Sequence, residues 1–148
     1  MNVKIKEMTL SDLNSIKDII NSEFDNFWNY NILKEELESK NSNYIIALDD
    51  NNKILGFAGI KVVLDEADIM NIVVNKNFRN NGIGTLLLKN IIQICESLNF
   101  TYINLEVNEE NSIAIHLYEN FGFEKLGLRK NYYKDKNGII MKKDLKKI

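Results

Sequence analysis

The stretch "IVVNKNFRNNGIGTLLLKNIIQICESL", residues 72–98, changes period in its middle, and that change decides the fold. Ile72, Val73 and Val74 end a strand-like run, whereas Leu87, Ile91, Ile94 and Leu98 recur on one face of a helix over 82–98. A strand running straight into a helix of about four to five turns opens a β-α-β crossover, right-handed and parallel. At the junction stand Arg79, Asn80, Asn81, Gly82, Ile83, Gly84 and Thr85. A helix N-terminus leaves backbone N–H groups unpaired and carries partial positive charge, so it suits an anion and phosphate above all. Gly82 and Gly84 remove side chains that would keep a diphosphate off the backbone, and Arg79 adds a planar donor fork. A phosphate-cradling loop for nucleoside triphosphates needs a lysine after its last glycine, but Thr85 follows Gly84. The dinucleotide fingerprint needs a third glycine where Leu87 stands. Both ligands are disfavoured; the bland alternative is a tight turn beside a solvated arginine.

Outward from this junction, "VKIKEM" (3–8) alternates like a strand, and "TLSDLNSIKDIINSEF" (9–24) carries Leu13, Ile16, Ile20 and Phe24 at helical spacing behind a Thr9–Asp12 capping box. "NILKEELESK" (31–40) predicts a short acidic helix, and residues 43–74 three strands with turns at "DDNN" and "LDE". "TYINLEV" (101–107) is a strand, "NSIAIHLYENF" (111–121) a helix stopped by Gly122, and "FEKLGLR" (123–129) a strand. "NYYKDKNG" (131–138) reads as a loop before a last strand, "IIMKKDL" (139–145). The order β-α-α-β-β-β-α-β-α-β-β predicts one α/β domain over 1–148, a mixed, mostly antiparallel seven-stranded sheet with helices on both faces.

The 148 residues suffice for one core, and 45% apolar with 27% charged residues is a globular mixture. A net charge of −2 and pI near 5.5 disfavour direct nucleic-acid binding, which needs a basic surface. Cys95, the sole cysteine, excludes an internal disulfide and reads as packing among Ile91, Ile92, Ile94 and Leu98. No cluster has metal-ligand spacing, so no metal is expected, and His116 reads as surface. No apolar run reaches the roughly 18 residues of a membrane span, and the N-terminus lacks a signal core. A cytoplasmic location without membrane attachment is expected; oligomeric state is left open.

Two residues have chemistry to offer. Glu106 alternates onto the polar face of its strand with Tyr102 and Asn104, which suggests a cleft in a sheet otherwise covered. The plainer reading is a surface glutamate at a strand end. Tyr118 shares a helix face with Ala114, Leu117 and Phe121, as a packing tyrosine would, and Asn111 sits where an N-cap belongs.

"VVLDEADIMNIVVNKNFRNNGIGTLLLKNII", then "LEVNEENSIAIHLYENFGF", "RKNYY" and "IIM" resemble the GNAT acetyltransferases, and within them the bacterial RimI-like ribosomal-protein-alanine N-acetyltransferases. The match runs nearly continuously over 62–133 and more weakly before it. It implies that Arg79 to Thr85 bind the pyrophosphate of acetyl-CoA, that the backbone of Ile72, Val73 and Val74 pairs with pantetheine where the strands splay, and that Asn111 and Tyr118 also contact acetyl-CoA. It implies Glu106 as general base, Tyr118 as general acid to the leaving thiolate, and direct transfer from thioester to amine.

Basicity bears on the acceptor. At pH 7 roughly 15% of an α-amine is neutral, against roughly 0.04% of a lysine, which suits a single carboxylate base to a protein N-terminus. The resemblance implies an N-terminal alanine on a small-subunit ribosomal protein. Glu35, Glu36, Glu38, Asp65 and Glu66 are candidates for an acidic rim, and Tyr132 and Tyr133 for walls of the peptide site. One departure is the short "KDKNG", where the family has a longer loop ending in Glu-Asp-Ala. It keeps two rivals open: acetylation of a small amine, and a non-catalytic acyl-CoA-binding module.

Overall fold

The computed structural model describes residues 2–24, 28–133 and 135–146. The elements are β1 (Lys4–Glu7), α1 (Leu10–Ser15), α2 (Ile20–Glu23), α3 (Tyr30–Glu38), β2 (Ser42–Leu48), β3 (Ile54–Val63), β4 (Glu66–Val74), α4 (Ile83–Ser97), β5 (Tyr102–Asn108), α5 (Ser112–Asn120), β6 (Glu124–Tyr133) and β7 (Lys136–Asp144). The strands form one sheet in the order β1-β2-β3-β4-β5-β7-β6, and among the described residues only β4 and β5 run parallel. This is the expected mixed, seven-stranded α/β architecture.

Helices cover both faces because the strands alternate. Ile45 and Ala47 of β2 join Leu55, Leu105 and Met141 against the α4 stripe of Ile83, Leu87, Leu88, Ile91 and Cys95. Tyr44, Ile46 and Leu48 point the other way, with Phe57 and Val73, onto Leu13, Ile20 and Leu33 of α1 to α3. Cys95 is fully buried, and burial pushes its thiol up to about 12, the state of a packing cysteine. Leu98 falls at the C-cap of α4 and is exposed, so the stripe ends a turn earlier than its spacing predicts.

Two local expectations are corrected. The helix expected over 9–24 is broken into α1 and α2. Its capping box forms as predicted, but Ser15 Oγ donates to the Asp12 carbonyl (2.6 Å), and the N–H groups of Ile16, Lys17 and Ile19 bond three residues back. That tighter winding ends the α-helix while leaving Leu13, Ile16, Ile20 and Phe24 buried. The loop expected over 131–138 is largely strand, β6 reaching Tyr133 and β7 starting at Lys136. Asn131 takes a left-handed φ of 55° and the β6–β7 register shifts between Arg129 and Tyr133, so an irregularity absorbs residues whose composition signals a turn.

Candidate active site

The parallel pairing of β4 with β5 is short. β4 and β5 pair from Glu66–Tyr102 to Asp68–Asn104 and no further, while β3 holds β4 as far as Val74 and β7 holds β5 as far as Asn108. Beyond Asp68 the two strands part. A bulge lies at the same point: Gly59 pairs with Asn71 and Ile60 with Ile69, leaving Met70 without a β3 partner. The extra residue switches parity, so that Ala67 and Ile69 before it, and Ile72 and Val74 after it, all face the α4 side.

A row of three residues pins the bulge. Tyr44, Gly59 and Asn71 are neighbours across β2, β3 and β4, and the buried Asn71 donates from Nδ2 to Tyr44 Oη (2.9 Å). The Tyr44 ring lies across Gly59, where a Cβ would come within 2.2 Å of it. Burial raises the Tyr44 hydroxyl well above its ordinary range, so it stays a neutral acceptor for the amide.

After β4, the buried Asn75 accepts from the Asn77 N–H and donates to Glu23 Oε1, tying a 3-10 turn (Lys76–Phe78) to the end of α2. Asn81 Nδ2 donates to the carbonyls of Phe78 and Arg79, and Asn80 (φ 66°) and Gly82 (φ 74°) take the left-handed conformation. Thr9, Asn29 and Asn111 cap α1, α3 and α5 with their side chains, but Gly82 gives α4 no side-chain cap. A Cβ on Gly82 would meet nothing within 4 Å, and one on Gly84 would meet only Val74 Cγ2 at 3.7 Å. Arg79, Asn80, Asn81, Gly82 and Thr85 are exposed around this mouth, while Ile83 is buried beneath it. Ile72 and Val74 pack on the α4 side and Val73 on the other, ordinary core as expected.

On the α1–α3 side of the sheet, where β4 and β5 part, a cleft of about 310 Å³ is lined by Trp28, Asp68, Ile69, Met70, Asn104, Leu105, Glu106, Arg129, Tyr132 and Ile140. Glu106 does face a cleft, as its alternation predicts. Its Oε1 accepts from Arg129 Nη1 (3.1 Å), and its Oε2 is buried without a hydrogen-bond partner. Arg129 also lies over the Tyr132 ring, 4.7 Å from the centroid. Asp68 accepts from Asn104 Nδ2 (3.0 Å), which also donates to Glu66.

Tyr118 does not line this cleft. It is half-buried on the opposite face, against the α4–α5 core, its ring 5.7 Å from that of Phe123. Glu106 and Tyr118 thus lie on opposite faces of the sheet rather than sharing a pocket. Asn111 caps α5 through Ala114 N–H (3.2 Å), and His116 is exposed. The five acids suggested as a rim do not line the cleft. Glu36 bonds Ser42 and pairs with Lys61, Asp65 accepts from Thr101, and Glu66 pairs with Lys142. Tyr132 lines it as expected; the Tyr133 side chain lies outside the described residues. Asn104 lines the cleft beside Glu106, as their shared polar face suggests, whereas sequence reasoning missed Trp28, Asp68 and Arg129. For Arg129 a signal existed, since it is one of only two arginines; Asp68 and Asn104 share a face only because of a register no pattern reveals.

The model of the acetyltransferase (GNAT) family matches residues 13–123. A Bacillus subtilis protein provisionally named a ribosomal protein bS18-alanine N-acetyltransferase is 29% identical over 139 residues, 93% of this chain and 92% of its own. The Haemophilus influenzae ribosomal protein bS18-alanine N-acetyltransferase is 38% identical over 111 residues, 75% of this chain and 74% of its own. The crystal structure of the Escherichia coli ribosomal-protein-S18-alanine N-acetyltransferase superposes with a TM-score of 0.89 at 26% identity, covering 99% of this chain and 96% of that one. The parted strands, the uncapped helix mouth and the matched family agree: this chain is an enzyme of the acetyltransferase (GNAT) family.

Proposed function

We propose that the protein transfers the acetyl group of acetyl-CoA to the N-terminal α-amine of a protein, with an alanine of a small-subunit ribosomal protein as acceptor. The observation that carries this reading is a carboxylate, Glu106, facing a cleft where β4 and β5 part, with an uncapped helix mouth following β4 in the chain. The mouth fits a diphosphate: N–H groups of the first turn of α4, no side chain over Gly82, and the Arg79 guanidinium close in sequence. Arg79, Asn80, Asn81, Gly82, Ile83, Gly84 and Thr85 would hold the pyrophosphate. The freed backbone of Ile72, Val73 and Val74 would hold pantetheine, with Asn111 alongside.

In the reaction the acceptor nitrogen bonds to the thioester carbonyl carbon as the carbon–sulfur bond breaks. Glu106 takes the amine proton, and Tyr118, from the other face of the sheet, returns one to the departing thiolate. The acceptor class is supported by the named activity of the relatives and by the higher neutral fraction of an α-amine. A cytoplasmic location fits the same substrate, and no described helix is long and apolar enough to cross a membrane.

The test is thiol release from acetyl-CoA with three acceptors: a peptide beginning Ala-Arg, its Nα-blocked form retaining an internal lysine, and spermidine. Turnover with the free N-terminus alone is expected. Turnover with spermidine alone would move the acceptor to small amines, and silence with all three alongside acetyl-CoA binding would favour a binding module.

A further inference from the structure

The carboxylate read as the base is already occupied. Arg129 Nη1 supplies the one hydrogen bond that Glu106 receives among the described residues, at Oε1. Oε2 is buried, and a Cβ on Gly138 would lie 3.5 Å from it, so it is turned toward β7 rather than open cleft. An acceptor nitrogen must come within hydrogen-bond reach of the base to yield its proton. The accessible oxygen is therefore the one a guanidinium holds.

Resting on the reading of Glu106 as base, we propose that Arg129 is a positioning residue that holds the place of the acceptor amine, orienting Glu106 in the free enzyme and yielding Oε1 when the amine docks. Three observations make the exchange feasible. The Arg129 side chain is 57% exposed, so release into water costs little. Its guanidinium already rests on the Tyr132 ring, a shelf it keeps after letting go. It also sits on the edge strand beside the register shift that ends at Tyr133, where regular pairing with β7 lapses. An arginine stays cationic throughout, so it cannot compete with Glu106 for the proton.

Trp28, the single tryptophan, lines the same cleft, so its fluorescence reports acceptor arrival. The experiment titrates wild type, Arg129→Gln and Arg129→Lys with the Ala-Arg peptide, its Nα-acetylated form and butylamine, and measures kcat and KM with the free peptide. Arg129→Gln is expected to bind the free-amine peptide about two- to fivefold more tightly, the worth of an exposed ion pair, with the acetylated peptide unchanged. Its kcat falls roughly tenfold because the carboxylate is no longer aimed, so kcat and KM fall together. Arg129→Lys lies between the two on both measures. Equal weakening of both peptides, or an unchanged ratio between them, overturns the proposal. If neither peptide binds, the acceptor reading fails and butylamine decides: tighter binding to Arg129→Gln sustains the Arg129 role, and unchanged or absent binding overturns it.

Discussion

At the mouth of α4 the proposed functional groups are main-chain donors and glycines drawn from seven consecutive residues, Arg79 to Thr85, whereas the cleft takes its side chains from five distant stretches around Trp28, Asp68, Glu106, Arg129 and Ile140. Main-chain recognition needs only a helix start, a left-handed residue and the absence of a cap, all local properties. Side-chain recognition needs register between β4, β5, β6 and β7. The mouth should therefore govern how tightly the acetyl donor is held, and the cleft which acceptor reacts and how fast.

The largest break in that division would come at Glu106. Glu106→Gln keeps the shape of the cleft but removes the proposed base, so kcat should fall about 100-fold or more while calorimetry shows acetyl-CoA binding unchanged. Gly59→Ala tests the support beneath the cleft. The added Cβ would enter the Tyr44 ring, dislodge its bond to Asn71 and relax the bulge at Met70, so thermal unfolding should show a loss of about 1–3 kcal/mol. Activity should fall more than the melting temperature alone explains. Arg79→Ala should have the smallest effect, raising KM for acetyl-CoA about three- to tenfold at nearly constant kcat, as loss of one charge-assisted contact would.

The same contrast explains what could be read from the chain. Period changes marked every strand, and the mouth was visible because R-x-x-G-x-G lies within six residues. Alternation in "TYINLEV" placed Glu106 on a polar face, but nothing in that heptapeptide shows that β4 leaves β5 after Asp68. Nor does it show the bulge beside that parting, where Gly59 accommodates a ring from β2 in a register shared by residues 44, 59 and 71. The rim of acids was misplaced for the same reason. Glu36, Asp65 and Glu66 have partners of their own, and the acid that lines the cleft with Glu106, Asp68, owes its place to strand pairing rather than charge density. Composition misled at 131–138, where turn-forming residues continue a strand around one left-handed asparagine.

Amide hydrogen exchange with and without acetyl-CoA tests most directly whether the open mouth holds the acetyl donor. The first-turn amides of Ile83, Gly84 and Thr85 have no intrahelical acceptor and should exchange quickly in the free protein. Acetyl-CoA should slow them strongly, together with those of 72–74, and leave those of Arg129 to Tyr132 little changed. Slowing confined to residues around Glu106 and Arg129, or absent at 82–85 under saturating acetyl-CoA, would contradict the assignment of the mouth.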